Sequence, residues 1–111
     1  MALTALSIDV SEHTRDGLLL HASDGPEPVL AFISRRVMDQ WANLTEAGTH
    51  LNLFRRQYNA LAQRNLPAIE RIVASKYQRG PEFNRQHRFV DVLLADIVES
   101  GEILELGRLA R

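Results

Sequence analysis

Between positions 50 and 88 the chain sets eight basic side chains against two acidic ones, a net +6 inside a protein whose total is −1. Arg56, Arg64, Arg71, Arg79, Arg85 and Arg88 are the residues of this stretch best suited to hold an anion. A guanidinium presents a planar fork of donors that matches phosphate or carboxylate, and a run of such groups can neutralise a nucleic-acid backbone. The flanks carry the opposite sign: residues 1–49 sum to −4 and residues 89–111 to −3. Two readings follow. The stretch binds DNA or RNA, or it is a solvated helix face that docks on the acidic tail of the same chain or on a protein partner. No helix-turn-helix and no exposed aromatic stacking pair accompanies the arginines, and the acidic flanks oppose a polyanion. The second reading therefore costs less. Of thirteen basic residues only Lys76 is a lysine, which an arginine-rich coding bias explains as readily as function does.

Other chemistry has little to start from. The chain lacks cysteine, so disulfides, thiolate catalysis and Cys-based metal sites are excluded. His13, His21, His50 and His87 are scattered, without the His-x₃-His or HExxH spacing that puts two imidazoles on one helix face. The six glycines are too far apart for a P-loop or a G-x-G-x-x-G turn. No serine stands in a G-x-S-x-G elbow, and Ser34 is better explained as a helix cap. Asp9 with Glu12, and Glu99 with Glu102, read as exposed polar faces. No catalytic, metal or cofactor residue is assigned, and no cofactor is expected. An enzyme whose site assembles from distant segments is the least favoured reading.

The elements that would position the arginines are partly visible. Residues 17–22 and 29–33 read as strands, joined by the turn formers of 23–28 into a hairpin with a long loop. Residues around Ile8 and Val10 suit a short edge strand or a loose arm. Val37, Met38, Trp41 and Leu44 recur at helical spacing behind Ser34. Leu51, Phe54, Tyr58, Leu61, Ala62, Ile69, Ile72 and Val73 fall within about 120° of a helical wheel, with Arg64 and Arg71 on the opposite face. Pro67 predicts either a kink or two helices meeting near Asn65. Residues 82–87 read as a polar connection and 88–94 as a strand, with Val90, Val92 and Leu94 on one side. Asp96, Glu99, Glu102 and Glu105 recur every three residues and suggest a helical tail, although 102–106 also suits a strand.

Several of these pieces resemble a family of small, mostly proteobacterial proteins known as domain of unknown function 1488. The likeness is carried by Met1-Ala2-Leu3-Thr4, Asp16-Gly17, Phe32-Ile33-Ser34, Val90-x-Val92-x₃-Asp96-Ile97 and, most specifically, Arg64-Asn65-x₃-Ile69-Glu70-x-Ile72-x-Ala74-x-Lys76-Tyr77. It covers residues 1–97; Leu61 stands where the family has phenylalanine, and residues 98–111 extend past its usual end. The resemblance implies a small α+β fold and a bacterial source, and it supplies no active site.

The expected molecule is one α+β domain over residues 1–111, with 98–111 as a C-terminal extension. A small antiparallel sheet of three or four strands would have its helices packed on one face. No apolar run approaches the length that spans a bilayer, and the first residues lack the basic and long apolar regions of a signal peptide. A cytoplasmic location is expected. The expected role is that of a non-enzymatic interaction or regulatory accessory protein with an unknown protein partner. A nucleic-acid binder using the basic 55–88 region is the alternative, no membrane partner is foreseen, and homo-oligomerisation is left open.

Overall fold

Leu18, Leu20 and Ala22 alternate with Leu19, His21 and Ser23, and a period of two sends alternate side chains to opposite faces of a sheet. The computed structural model describes residues 3–8, 17–45, 55–80, 82–84 and 87–105; within these it leaves undescribed the side chains of residues 5, 8, 45, 55–59, 82–84 and 87. The elements run β1 (Thr4–Ile8), β2 (Gly17–Asp24), β3 (Glu27–Ser34), α1 (Arg35–Thr45), α2 (Arg55–Arg64), α3 (Leu66–Arg79), β4 (Glu82–Asn84), β5 (His87–Val92) and α4 (Leu94–Ser100).

The fold is α+β, with a mostly antiparallel sheet in the order β1-β2-β3-β5-β4. One pair, β3 with β5, is parallel, because the three helices between them carry the chain back to its starting end. Residues 82–87, expected as a polar connection, include the short edge strand β4. With β1 at the other edge the sheet has five strands, against three or four expected. The β2–β3 loop is also shorter than expected. Asp24 pairs with Glu27, so only Gly25 and Pro26 form the turn. Gly25 takes φ 58°, and a positive φ followed by proline is the pattern of the tight II′ hairpin.

The register stacks Leu18, Ile33 and Val92 in one row and Leu20, Ala31 and Val90 in the next, and all six are buried. Helix α3 lies over β5, α1 lies against β2 and β3, α2 reaches β1, and α4 sits against α1 and α3. Leu61, Ile69, Ile72 and Val73 of the expected stripe are buried, as are Met38 and Trp41 of α1. Leu51 and Phe54 lie outside the described residues, as does the side chain of Tyr58. Ser34 caps α1 as its sequence suggested, its Oγ accepting from the Val37 amide at 3.1 Å.

The long helical pattern is two helices that meet at Asn65. Pro67 falls in the first turn of α3, where its missing N–H costs least. The third expected strand ends at Val92 rather than Leu94, and Leu94 opens α4. The expected helical tail is therefore a seven-residue helix, ended by Gly101 at φ 70° and followed by 102–105 without regular secondary structure. Among the described residues no helix is long and apolar enough to cross a membrane.

Gly17 faces the tightest approach in the sheet. A Cβ built there would lie 2.3 Å from the Ile33 carbonyl oxygen and 2.8 Å from Phe32 Cζ. Gly17→Ala should lower stability by about 1–3 kcal/mol through overpacking, and Ile69→Ala by about 2–5 kcal/mol through a core cavity. Urea unfolding of both variants checks this.

Candidate functional site

Arg64 and Arg71 project from the outer side of α2 and α3 because Leu61, Ile69 and Ile72 hold the other side against the core. Their side chains stay half-exposed, yet each meets a carboxylate of the chain's own C-terminal segment. Arg71 makes a bidentate pair with Glu102, Nε to Oε2 at 2.8 Å and Nη2 to Oε1 at 2.7 Å. Arg79 bridges Glu99 at 2.7 Å and Asp96 at 3.2 Å. Lys76 donates to Asp96 at 2.7 Å and to the Asp91 carbonyl. Arg64 lies 3.9 Å from Glu105. From Glu99 onward the pairs run in antiparallel order, Glu99, Glu102 and Glu105 meeting Arg79, Arg71 and Arg64 in turn. The acidic tail docks on the basic helix face of the same chain.

Arg88 has a different fate. The β3–β5 register aligns it with Val29 and Ala22 on the covered face of the sheet. There its guanidinium donates to the Tyr77 hydroxyl and, at 3.1 Å, to Asp24. Tyr77 in turn donates to the buried Asp24 carboxylate. Arg56 lies in α2 with its side chain outside the described set, and Arg85 lies outside the described residues altogether. Of the six arginines picked from sequence, three thus share the outer face of α2–α3 and one lies partly buried against Tyr77 and Asp24.

The electrostatics follow from these partners. The hydrogen bond from Arg71 holds the Glu102 carboxyl below the usual carboxylate range despite some loss of hydration, and the same bond raises Arg71. Burial pulls Asp96 upward, but Lys76, the Leu93 amide and Arg79 together hold it below its ordinary value. Burial and the hydrogen bond to Asp24 push Tyr77 up, with Arg88 opposing. The bond to Tyr77 raises Arg88.

Charge is only part of the seat. Asn65, 4% exposed, sits in the break between α2 and α3. Its Nδ2 donates to the Leu61 carbonyl at 2.9 Å and to the Glu105 carbonyl at 2.8 Å. Its Oδ1 accepts from the Glu105 amide at 2.6 Å. One side chain thus holds both backbone groups of a single residue, which requires them to point the same way, as in an extended chain. The Trp41 indole donates to the Glu102 carbonyl at 3.0 Å, and Leu104 is buried in the core cluster that also holds Trp41, Leu61 and Ile97. Asn65 and Trp41 drew no attention as site residues in the sequence. The available clue was Asn65 standing two residues before Pro67, where a broken helix leaves an amide free to look outward.

Nearby, a recess of about 180 Å³ is lined by Ile72, Ser75, Arg79, Asp96, Glu99 and Ser100. Ligand pockets usually measure about 300–1,000 Å³. Among the described residues no three histidine, aspartate or glutamate side chains gather as metal ligands. No protein-family model, curated protein or solved structure matches the chain.

Asp96 and Glu102 release their protons more readily folded than unfolded. Their contribution to stability is therefore complete above the ordinary carboxylate pKa of about 4 and is lost as pH falls through the lower folded values. Unfolding in urea at pH 7 and pH 3 should show that Glu102→Gln loses less stability on acidification than the parent chain. Equal losses would show that the pair does not act in the folded state.

Proposed function

We propose that this chain is a non-enzymatic accessory domain that acts by binding another protein, with the outer face of α2–α3 as its recognition surface. The carrying observation is the way this face engages the chain's own tail. It reads carboxylates with Arg64, Arg71 and Arg79 and peptide backbone with Asn65 and Trp41. A phosphodiester offers acceptors but no N–H for the Asn65 Oδ1 to accept, so the chemistry suits polypeptide. Nucleic acid would first have to displace the carboxylates from Arg71 and Arg79, and Arg88 is spent on the Asp24–Tyr77 cluster. The 55–88 region supports that alternative less well than its charge alone suggests.

The test pairs two measurements on the full chain. Titration into labelled duplex DNA and single-stranded RNA at low salt should give no saturable binding. Affinity capture should retain a protein partner on the parent chain and lose it on Arg64→Glu, a reversal at a side chain 55% exposed and held only at 3.9 Å. Nucleic-acid binding that weakens steeply with salt, or the same captured proteins on both columns, would contradict the proposal.

A further inference from the structure

Four consecutive residues of the tail are read one by one. Glu102 gives its side chain to Arg71 and its carbonyl to Trp41. Ile103 points to solvent, 69% exposed. Leu104 is fully buried. Glu105 gives both backbone groups to Asn65 and its carboxylate to Arg64. None of these contacts needs the tail to be joined to α4, and the junction is the single left-handed residue Gly101, whose amide bonds back to Val98. A glycine at positive φ can leave that conformation without steric cost.

The seat itself cannot stand open. Removing the tail would take two of its three hydrogen bonds from the buried Asn65 amide, and unpaired buried polar groups are expensive. It would also bare the apolar site that Leu104 fills. The tail can therefore be exchanged for a segment of the same chemistry far more easily than it can be released.

We infer that the seat formed by Trp41, Asn65, Arg64 and Arg71 recognises an extended acidic segment of another protein, of the pattern Glu-x-Leu-Glu, and that the chain's own residues 102–105 occupy it as an internal competitor. This rests on the protein-binding role proposed above and names the partner's chemistry. Arg71 selects the first glutamate, the Leu104 site selects the leucine, and Arg64 favours acid at the fourth position. Asn65 reads backbone alone, so it sets the register whatever the side chain.

The experiment uses a fluorescein-labelled peptide with the sequence of residues 101–107, titrated into full-length chains. Glu102→Ala and, separately, Leu104→Ala weaken the internal competitor, so both should bind the peptide more tightly than the parent chain, about threefold for the lost ion pair and at least tenfold for the lost leucine. Adding Asn65→Ala to either should remove at least tenfold of that affinity, and a peptide with aspartate in place of its central leucine should not bind. Should Leu104→Ala fail to fold, Glu102→Ala carries the test, because that change removes a carboxylate and opens no core cavity. The inference is overturned if peptide affinity is the same in the parent and Glu102→Ala, or is indifferent to Asn65→Ala. Dimerisation of Glu102→Ala in place of peptide binding would assign the seat to a second copy and overturn it equally. Failure of the peptide while capture still depends on Arg64 sinks this inference and leaves the protein-binding role standing; loss of both sinks both.

Discussion

The structure turns on a buried amide that has to be satisfied. Pro67 interrupts the helical pattern, and the chain responds by ending one helix and starting another at Asn65. That break aims the Asn65 side chain outward while keeping it out of water, with the Leu61 carbonyl able to take only one of its hydrogens. Glu105 supplies the missing donor and acceptor. Once Glu105 is held there, Leu104 is directed into the core, the Glu102 carbonyl meets Trp41, and the acidic side chains are laid along the basic face.

The contributions of these contacts differ in kind. Exposed ion pairs add little to stability because water and salt screen them, and Arg64, Arg71 and Arg79 all remain at least half-exposed. Burying Leu104 and Ile97 stabilises by about 1.5–3 kcal/mol each. Apolar anchors and the Asn65 clamp therefore hold the tail and set its register, and the ion pairs add to that hold. A tail that slid or reversed would lose the bidentate Arg71–Glu102 pair and the Asn65 bonds to Glu105 together.

Much of the scaffold was legible because its signals are local. The alternation in β2 and β3, the Ser34 cap and the apolar stripe through Leu61, Ile69 and Ile72 each depend on residues a few positions apart. The charge polarity of the chain also carried real information: the positive stretch and the acidic tail are two halves of one contact, and docking between them was one of the readings it allowed. The parallel pairing of β3 with β5 was not legible, since it is decided by how three helices return the chain. Arg88 read as a surface cation because its partner Asp24 lies 64 residues away. Asn65 read only as the place where two helices could meet beside Pro67, because its partner lies 40 residues away. The three-residue spacing of the acids read as a helix, whereas it serves a short helix and then an irregular segment, with Gly101 dividing them.

Backbone hydrogen exchange tests the central claim most directly. The Glu105 amide has no partner from regular secondary structure, so any protection it shows must come from the Asn65 side chain. The account predicts slow exchange at Glu105 in the full chain at neutral pH and fast exchange in Asn65→Ala, with the α3 amides beyond the first turn unchanged. Fast exchange at Glu105 in the unsubstituted chain would mean that the tail is not held where the structure places it.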